Sequence, residues 1–316
     1  MKVVHSPPVA LWEEILKNCE HATFFHSPTW VKVLEKTYPH HSNATLGFTF
    51  ETGNRALLPL VAERSRGKVL KRDKHKSMAL GVYGGVLAEK RLTSEESEVL
   101  FGYLTSTGIS DLKIVENPLE HYELPKSFAA KSLFTHIIPL DADLERLQRQ
   151  FSRGHKSNIK QAQKKSVEIR SAVSREDYEH YYHIYQETVR RWGEHAGTIY
   201  PRELFLNLFE AHDPGIKLWL AEKHGKIIAG VLAFYCNSTI LYWHGSSLKD
   251  YFDHYPNNLL HTEIIKDGCT RGYKVYDLSP SGGHQGVVKF KESLSAKRVD
   301  FKAYHWKKNR LAQILW

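Results

Sequence analysis

The sequence predicts an α/β protein made of two copies of one module, each a mixed sheet flanked by helices. Three observations carry this prediction. Helix-period and strand-period apolar patterns alternate along the whole chain. The order helix, helix, hairpin, strand, helix, strand occurs twice, as a repeat of pattern with negligible identity between the halves. The 316 residues, 41% hydrophobic and 12% aromatic, suffice for one large or two medium cores. The expected limits are a first module over 1–140, a second over 141–299, and a tail over 300–316 that packs back on the first.

In the first half, Pro7 and Pro8 open a helix bearing Val9, Leu11, Trp12, Ile15 and Leu16, since proline lacks only a donor that the first turn leaves unpaired. Ser27-Pro28 opens a second, with Trp30, Val31, Val33 and Leu34. Ala44–Phe50 and Ala56–Ala62 form a hairpin around Glu51-Thr52-Gly53-Asn54. Arg64–Lys76 reads as a basic loop and Met78–Leu87 as a bent, glycine-rich strand. Ser94 caps a helix running to Leu104, with Glu95 and Glu96 in its first turn, and Leu112–Val115 is a strand.

The second half repeats the order. Helices are expected over 175–191 and after Pro201. Strands follow at Leu218–Glu222, Ile227–Tyr235 and Thr239–Gly245, with a turn at His224-Gly225. Pro256 opens a helix that closes near Gly272, and a strand then ends at Asp277. This order is that of the acyltransferase fold of the GNAT superfamily, so the expected architecture is two tandem GNAT-like domains with mixed sheets.

Between the halves, Leu133–Leu140 reads as a strand, and Asp141 and Asp143 lead into a long polar helix. Arg146, Arg149, Arg153, Lys156, Lys160 and Lys164 recur along it at steps of three or four, which places them on one face; Lys165 adjoins the last. No acid lies between Glu145 and Glu168. Two readings stand, a solvated cationic face or a track for a phosphate backbone; Gly154 is the expected weak point of the helix. The formal charge of +9 favours an anionic partner such as tRNA, a phosphorylated substrate or a membrane surface.

Three cysteines without C-x-x-C spacing argue against a disulfide framework and a cysteine-based zinc site. His180 and His183 share a helix face but lack a third ligand, and no H-E-x-x-H occurs. No metal or cofactor is expected. With no signal-peptide core and no apolar run near the roughly 20 residues of a membrane span, a soluble, cytoplasmic protein with no integral membrane segment is expected.

The stretch Tyr276–Lys291 concentrates the chemistry. Asp277 ends a strand, and Ser279-Pro280-Ser281-Gly282-Gly283 is a tight turn whose glycines permit positive φ. Lys289 and Lys291 then interrupt a second apolar run; read as a strand, it points both lysines the same way. An acid, open backbone amides and two lysines suit an anion or an acyl oxygen, and a plain hairpin with surface lysines is the alternative. Asp277 reads either as a base or as a buried acceptor. Tyr242, His244 and Tyr255 read as groove residues, with Tyr242 equally a core residue. Arg191 reads as a phosphate ligand or as a complement to its helix dipole.

Over roughly 140–295 the chain resembles the Fem (FemABX) peptidyltransferases, built from two GNAT-like domains. The residues that carry the likeness begin with Lys156-Ser157, Ile159-Lys160 and Val167-Glu168. They continue through Tyr185, Thr188, Arg191, Gly193, Leu220-Ala221-Glu222, Gly225-Lys226 and Gly230. Tyr242, Gly245-Ser246, Tyr255-Pro256, Tyr276-Asp277-Leu278 and Phe290-Lys291 complete the run. Phe25-His26-Ser27 through Trp30-Val31-Lys32 gives a fainter match in the first half. The resemblance implies an aminoacyltransferase that moves an amino acid from aminoacyl-tRNA to an amine on an anionic, phosphorylated acceptor such as a peptidoglycan precursor. It implies that Lys291 sits near the reacting carbonyl and substrate phosphates, and that Arg191 meets phosphate. With that reaction in view, the residues' own reading has Tyr242, His244, Tyr255, Gly282, Gly283, Lys289, Phe290 and Lys32 bind substrate, with Asp277 beside Lys291, and the helix spacing has Arg149, Arg153, Lys156, Lys160 and Lys164 bind tRNA. The long helical hairpin of larger members is absent, which points to the smaller FemX-like type. Glu292-Ser293-Leu294-Ser295 replaces the usual glycine after Phe-Lys, which leaves the acceptor open. Two rivals remain, an acyl-CoA-dependent GNAT enzyme and a non-catalytic RNA-binding protein. The first is disfavoured by the glycine-free segment Ser246–Asn258 where a CoA-binding loop would lie.

Overall fold

The computed structural model describes residues 1–64, 73–80, 83–120, 122, 124–140, 143–193 and 198–308. The greater part of the basic loop expected over 64–76, together with Gly81, Asp141 and the end of the tail, lies outside the described residues. The chain divides into two compact units, Met1–Phe134 with Val299–Trp316, and Thr135–Arg298.

The first unit opens with β1 (Lys2–His5), α1 (Val9–Asn18), α2 (Pro28–Thr37), β2 (His41–Asn43), β3 (Leu46–Thr49) and β4 (Arg55–Leu58). It continues with β5 (Val61–Glu63), β6 (Lys74–Ser77), β7 (Leu87–Ala88), α3 (Ser94–Ser106) and β8 (Asp111–Val115). β9 (Ala129–Pro139) leads out of it. Ser27 caps α2 by accepting from the Trp30 N–H, as its position before Pro28 suggests. α3 is capped by Thr93 and not by Ser94: Thr93 and Glu96 bond each other's backbone in a reciprocal box.

Three expectations for this half need correction. The second arm of the hairpin is two strands, because Pro59 has no N–H for a ladder: β4 pairs with β3 and β7, whereas β5 pairs with β2 and β6. Among the described residues of 78–87 only Leu87, in β7, is strand, since Met78 (φ 62) and Leu80 (φ 57) turn the chain. The strand lies earlier, at β6, whose Lys-His-Lys-Ser sequence gives no apolar signal; it runs parallel to β8.

The second unit contains α4 (Leu144–Gln150), α5 (Arg153–Lys164), β10 (Val167–Ser171), α6 (Arg175–Trp192), α7 (Arg202–Glu210), β11 (Ile216–Lys223), β12 (Lys226–Cys236) and β13 (Thr239–Ser247). α8 (Pro256–Thr270), β14 (Val275–Asp277) and α9 (Gln285–Ser293) complete it, and β15 (Lys297–Lys307) returns to pair with β8. Its strands run in the order β10-β11-β12-β13-β14-β9, with β13 and β14 parallel and the other pairs antiparallel. This is the mixed sheet expected of a GNAT-like module. Along β12, Ala229, Val231, Ala233 and Tyr235 join the core that α8 covers, while Gly230 meets Tyr181 of α6 on the opposite face. α6 begins at a Ser174–Asp177 capping box, and Arg170 ties Asp177 to Glu222 of β11.

The long polar helix is two helices. The break falls at Phe151-Ser152 and not at Gly154, because Ser152 caps α5 by accepting from the His155 N–H and Phe151 turns into the core. The run after the glycine turn is helix α9 and not a strand, so Lys289 and Lys291 point to different sides; Lys291 is buried and Lys289 exposed. Among the described residues no helix is long and apolar enough to cross a membrane.

A Cβ on Gly230 would lie 2.6 Å from the Tyr181 ring and 3.1 Å from the Trp219 carbonyl oxygen. Tyr181 is fully buried and has no space to retreat. Gly230→Ala should therefore destabilise the protein by about 1–3 kcal/mol in urea or thermal denaturation. An unchanged midpoint would refute this packing.

Candidate active site

The parallel ladder of β13 and β14 stops at Leu241–Asp277, while β13 runs on to Ser247. After Asp277 the chain turns at Ser279 (φ 59), and a bulge at Trp243 re-aims β13 beside it. The two parallel strands therefore part at their carboxyl ends, the place where ligands commonly bind in α/β sheets, and this parting is called the mouth below.

Asp277 and Lys291 form the floor. Asp277 is 1% exposed, and its Oδ1 accepts from Thr135 Oγ1 at 2.7 Å and from the Ser279 N–H at 2.7 Å. Lys291, 2% exposed, donates from Nζ to the Ser279 carbonyl, and Ser279 Oγ donates to the Tyr242 carbonyl. Burial pulls the Lys291 pKa down to about 8, with the Asp277 charge opposing the shift. The ammonium therefore remains the dominant form at neutral pH, one pH unit from losing its charge. Gly282 (φ 57) and Gly283 (φ 82) adopt the left-handed conformations expected of them, exposed at the lip of the turn. The Ser281 hydroxyl beside them is buried without a hydrogen-bond partner among the described residues.

Behind the floor lies a layer of side chains that the sequence did not single out. His261 of α8 bonds Tyr276 Oη at 2.7 Å and packs edge-on against Tyr242 and Phe290. Burial lowers its pKa to about 3, so the ring is neutral. His155 of α5 meets Ser293 Oγ at 3.1 Å and Asn258 Nδ2 at 2.8 Å, and Ser152 N donates to the Ser293 carbonyl at 2.9 Å. A polar residue inside the apolar stripe Leu259, Leu260, Ile264, Ile265 was the available signal for His261. Phe290 faces this layer from α9 and not the mouth.

On the β13 side, Tyr242 is half-buried, and burial raises its phenol pKa to about 12. His244 bonds Tyr181 Oη at 2.6 Å among the rings of Tyr185, Tyr200 and Phe205, and burial lowers its pKa to about 3. Both residues are fixed by packing. Arg191, at the end of α6, stacks 5.0 Å over Phe252 and donates to the Ser247 carbonyl at 3.3 Å and Thr188 Oγ1 at 3.4 Å. It is exposed and spans the end of β13, so its guanidinium complements more than its own helix. Tyr255 (φ 51) occupies the N-cap of α8, with Lys165 Nζ 5.9 Å over its ring. Lys32 is exposed on α2 of the first unit.

The basic row is divided by the break between its helices. Arg146 and Arg149 belong to α4, and Arg149 lies near Asp143 (3.8 Å) and Glu145 (3.7 Å). Lys156 donates to the Arg149 carbonyl, and Lys165 pairs with Asp253 at 2.9 Å. Arg153, Lys160 and Lys164 are exposed on α5 with no acid paired to them among the described residues.

Linkage makes the Lys291 environment measurable. The unfolded lysine titrates near pH 10.4, so between about pH 8 and 10 the unfolded chain binds more protons than the native one. Stability should rise with pH across that window by roughly 1 kcal/mol per unit. Lys291→Met should lack this increment; parallel urea-denaturation profiles for the two proteins would count against a buried, charged Lys291.

Residues 142–292 match the family described as the acetyltransferase (GNAT) domain. Over the full length of both chains the structure is similar to the crystal structure of FemX, with a TM-score of 0.75 at 14% identity. It is similar to L-PGS from Bacillus licheniformis with a TM-score of 0.57 at 14% identity, covering 99% of this chain and 96% of that one. A tandem GNAT protein from the clavulanic acid biosynthesis pathway matches with a TM-score of 0.54 at 10% identity over 98% and 99% of the two chains. A sequence search of curated proteins finds no match. The fold is thus the tandem GNAT-like one, shared over its whole length with FemX.

Proposed function

We propose that this protein, an acyltransferase by fold and by its GNAT domain, moves an aminoacyl group from aminoacyl-tRNA to an amine of an anionic acceptor such as a peptidoglycan precursor. The observation that carries this reading is Lys291: a buried, charged lysine held by a turn carbonyl at the mouth between β13 and β14. The reaction is an aminolysis. The acceptor amine attacks the ester carbonyl, a C–N bond forms, the C–O bond to the ribose breaks, and the amine's proton ends on the ribose hydroxyl. Such a step needs placement, an uncharged amine and stabilisation of the oxyanion. Lys291 supplies the positive charge, and the backbone of Gly282-Gly283 supplies further donors. Asp277 is the acceptor that holds the turn and favours the charged lysine; with its Oδ1 accepting two hydrogen bonds, it is cast as a positioning group and not as the base.

Arg153, Lys160 and Lys164 on α5 would meet the phosphate backbone of the donor, with Lys156 and Arg149 at its edge. Arg191, braced on Phe252, and Lys32 would meet phosphates of the acceptor. The CoA-dependent alternative is disfavoured at the segment before α8. There Lys249–His254 forms a short helical turn, and Phe252 lies under Arg191, where a glycine loop would be needed to admit a pyrophosphate.

Incubation with charged tRNA and an acceptor amine should cleave the ester, with activity falling steeply as salt rises. Lys291→Ala should lower turnover by about 10²–10³-fold with the fold retained. Release of thiol from acetyl-CoA with no use of charged tRNA would replace this reading with the CoA-dependent one. Wild-type activity should also decline above about pH 8 as Lys291 loses its proton, although the acceptor amine gains nucleophilicity there.

A further inference from the structure

The helical turn Lys249–His254, with Tyr255 after it, holds lysines from three other elements. Lys165, the C-cap of α5, places its Nζ 2.9 Å from Asp253 Oδ2 and donates to the Asp253 carbonyl at 2.7 Å. Lys223 of β11 donates from Nζ to His254 Nε2 at 2.8 Å, and the Nδ1 of that ring lies 2.7 Å from Asp253 Oδ1. Lys226, which opens β12, has its Nζ 5.1 Å over the Tyr251 ring, and Lys165 Nζ lies 5.9 Å over Tyr255. The ring and imidazole contacts fix the direction of these long side chains without cancelling their charge.

Sheet register sets these lysines beside the α5 row. Lys223 pairs with Val167, two residues beyond Lys165, and Lys226 pairs with Lys223 across the β11–β12 hairpin. Val167 faces the core that α8 covers, so Lys223 lies on that side of the sheet. Glu168 and Glu222 alternate to the other side, where Glu222 binds Arg170. Among the described residues Asp253 is the acid paired with any of Lys160, Lys164, Lys165, Lys223 and Lys226; Asp250 stands exposed on the same turn. Ammonium groups gathered in this way repel one another, and a polyanion laid along them relieves the cost. A bilayer would be met by exposed apolar side chains, but Phe252, the exposed one of this turn, is stacked under the Arg191 guanidinium. An extended file of cations on helix and hairpin suits a phosphate backbone.

We infer, on the strength of the aminoacyl-tRNA reading, that the RNA backbone met by α5 continues past the end of that helix across Lys165, Lys223 and Lys226, with the turn Lys249–Tyr255 as the bracket that aims them. Titration of the full chain with uncharged tRNA over a series of salt concentrations, read by fluorescence anisotropy, tests this without any transfer step. Lys223→Gln combined with Lys226→Gln should weaken binding about tenfold near 0.1 M salt and flatten the slope of log K against log salt by about 1.5–2. Lys226→Gln alone, at an exposed position, should flatten it by about 0.7–0.9 and serves if the double variant melts early. Lys223→Arg with Lys226→Arg should keep the wild-type slope, because charge is what the backbone reads. Lys217→Gln, on the same strand but paired with Asp267, should bind as the wild type does. Wild-type binding with an unchanged slope in the folded glutamine variants would overturn this inference alone. So would a glutamine variant that keeps its tRNA affinity but no longer sediments with phosphatidylglycerol vesicles. A wild type that binds no tRNA would remove the functional reading along with it.

Discussion

The second unit is organised around keeping a lysine charged inside protein. Removing an ammonium from water costs several kcal/mol unless polar groups replace the solvent. Here the replacements are the Ser279 carbonyl and the Asp277 carboxylate, and both depend on a turn that only special backbone geometry allows. Ser279 at φ 59 directs its carbonyl to Lys291, its N–H to Asp277 and its hydroxyl to the Tyr242 carbonyl. One residue thus joins β13, β14 and α9. The opposing effects do not cancel, since burial outweighs the Asp277 charge and leaves Lys291 near the point where it loses its proton. A group so placed responds to charge that develops nearby, which an exposed lysine screened by water would not.

The sequence revealed the frame of this arrangement more readily than its interior. Asp277 at a strand end and the two glycines at positive φ were legible, because few residue types fit a tight turn. The helical nature of 285–293 was not. Val287, Val288 and Phe290 have the composition of a strand, and the residues that settle the matter are distant. His155 and His261 receive Phe290, and Ser279 receives Lys291, so tertiary contact overrides local preference. β6 was hidden for the opposite reason, since Lys74–Ser77 shows no apolar alternation yet pairs on both sides. The basic row was visible as a spacing of three and four. Its break was not, because Ser152 between Phe151 and Arg153 reads as ordinary helix until its side chain is seen to cap the following turn.

The two modules show how one kind of strand pair takes different surroundings. Each has a parallel strand pair at its centre, and in each an antiparallel strand borders the second member: β9 beside β14, and β15 beside β8. In the second module the chain turns away after Asp277, so β14 no longer pairs with β13 beyond Leu241. In the first, Gly84 donates to the Val115 carbonyl, and a Cβ on Gly84 would strike Ser77 and one on Gly85 the Tyr122 hydroxyl, so backbone fills the space beside that ladder. The strand order differs as well: β1-β3-β4-β7 form a sheet apart from β8-β6-β5-β2, whereas β10-β11-β12-β13-β14 run on without a break.

The helix that bears Lys291 is also tied to α5, whose Arg153, Lys160 and Lys164 have no acid paired to them among the described residues. Ser152 and His155, in the first turn of α5, hold Ser293 at the end of α9, and Ser295 Oγ donates to the Gln150 carbonyl at the end of α4. The bonds from Ser152 and His155 lie roughly one and a half to two turns from Lys160 at the start of its own helix. The α5 cations and α9 are thus joined by short hydrogen bonds and not by a flexible loop. The neutral state of His155, whose pKa burial lowers to about 4, keeps this junction from adding a further charge beside Lys291 at neutral pH. If the junction were loose, the cationic face could bind its partner without any consequence for the turn at Ser279. Because it is bonded at three points, the position of the lysine and the position of the ridge form one constraint.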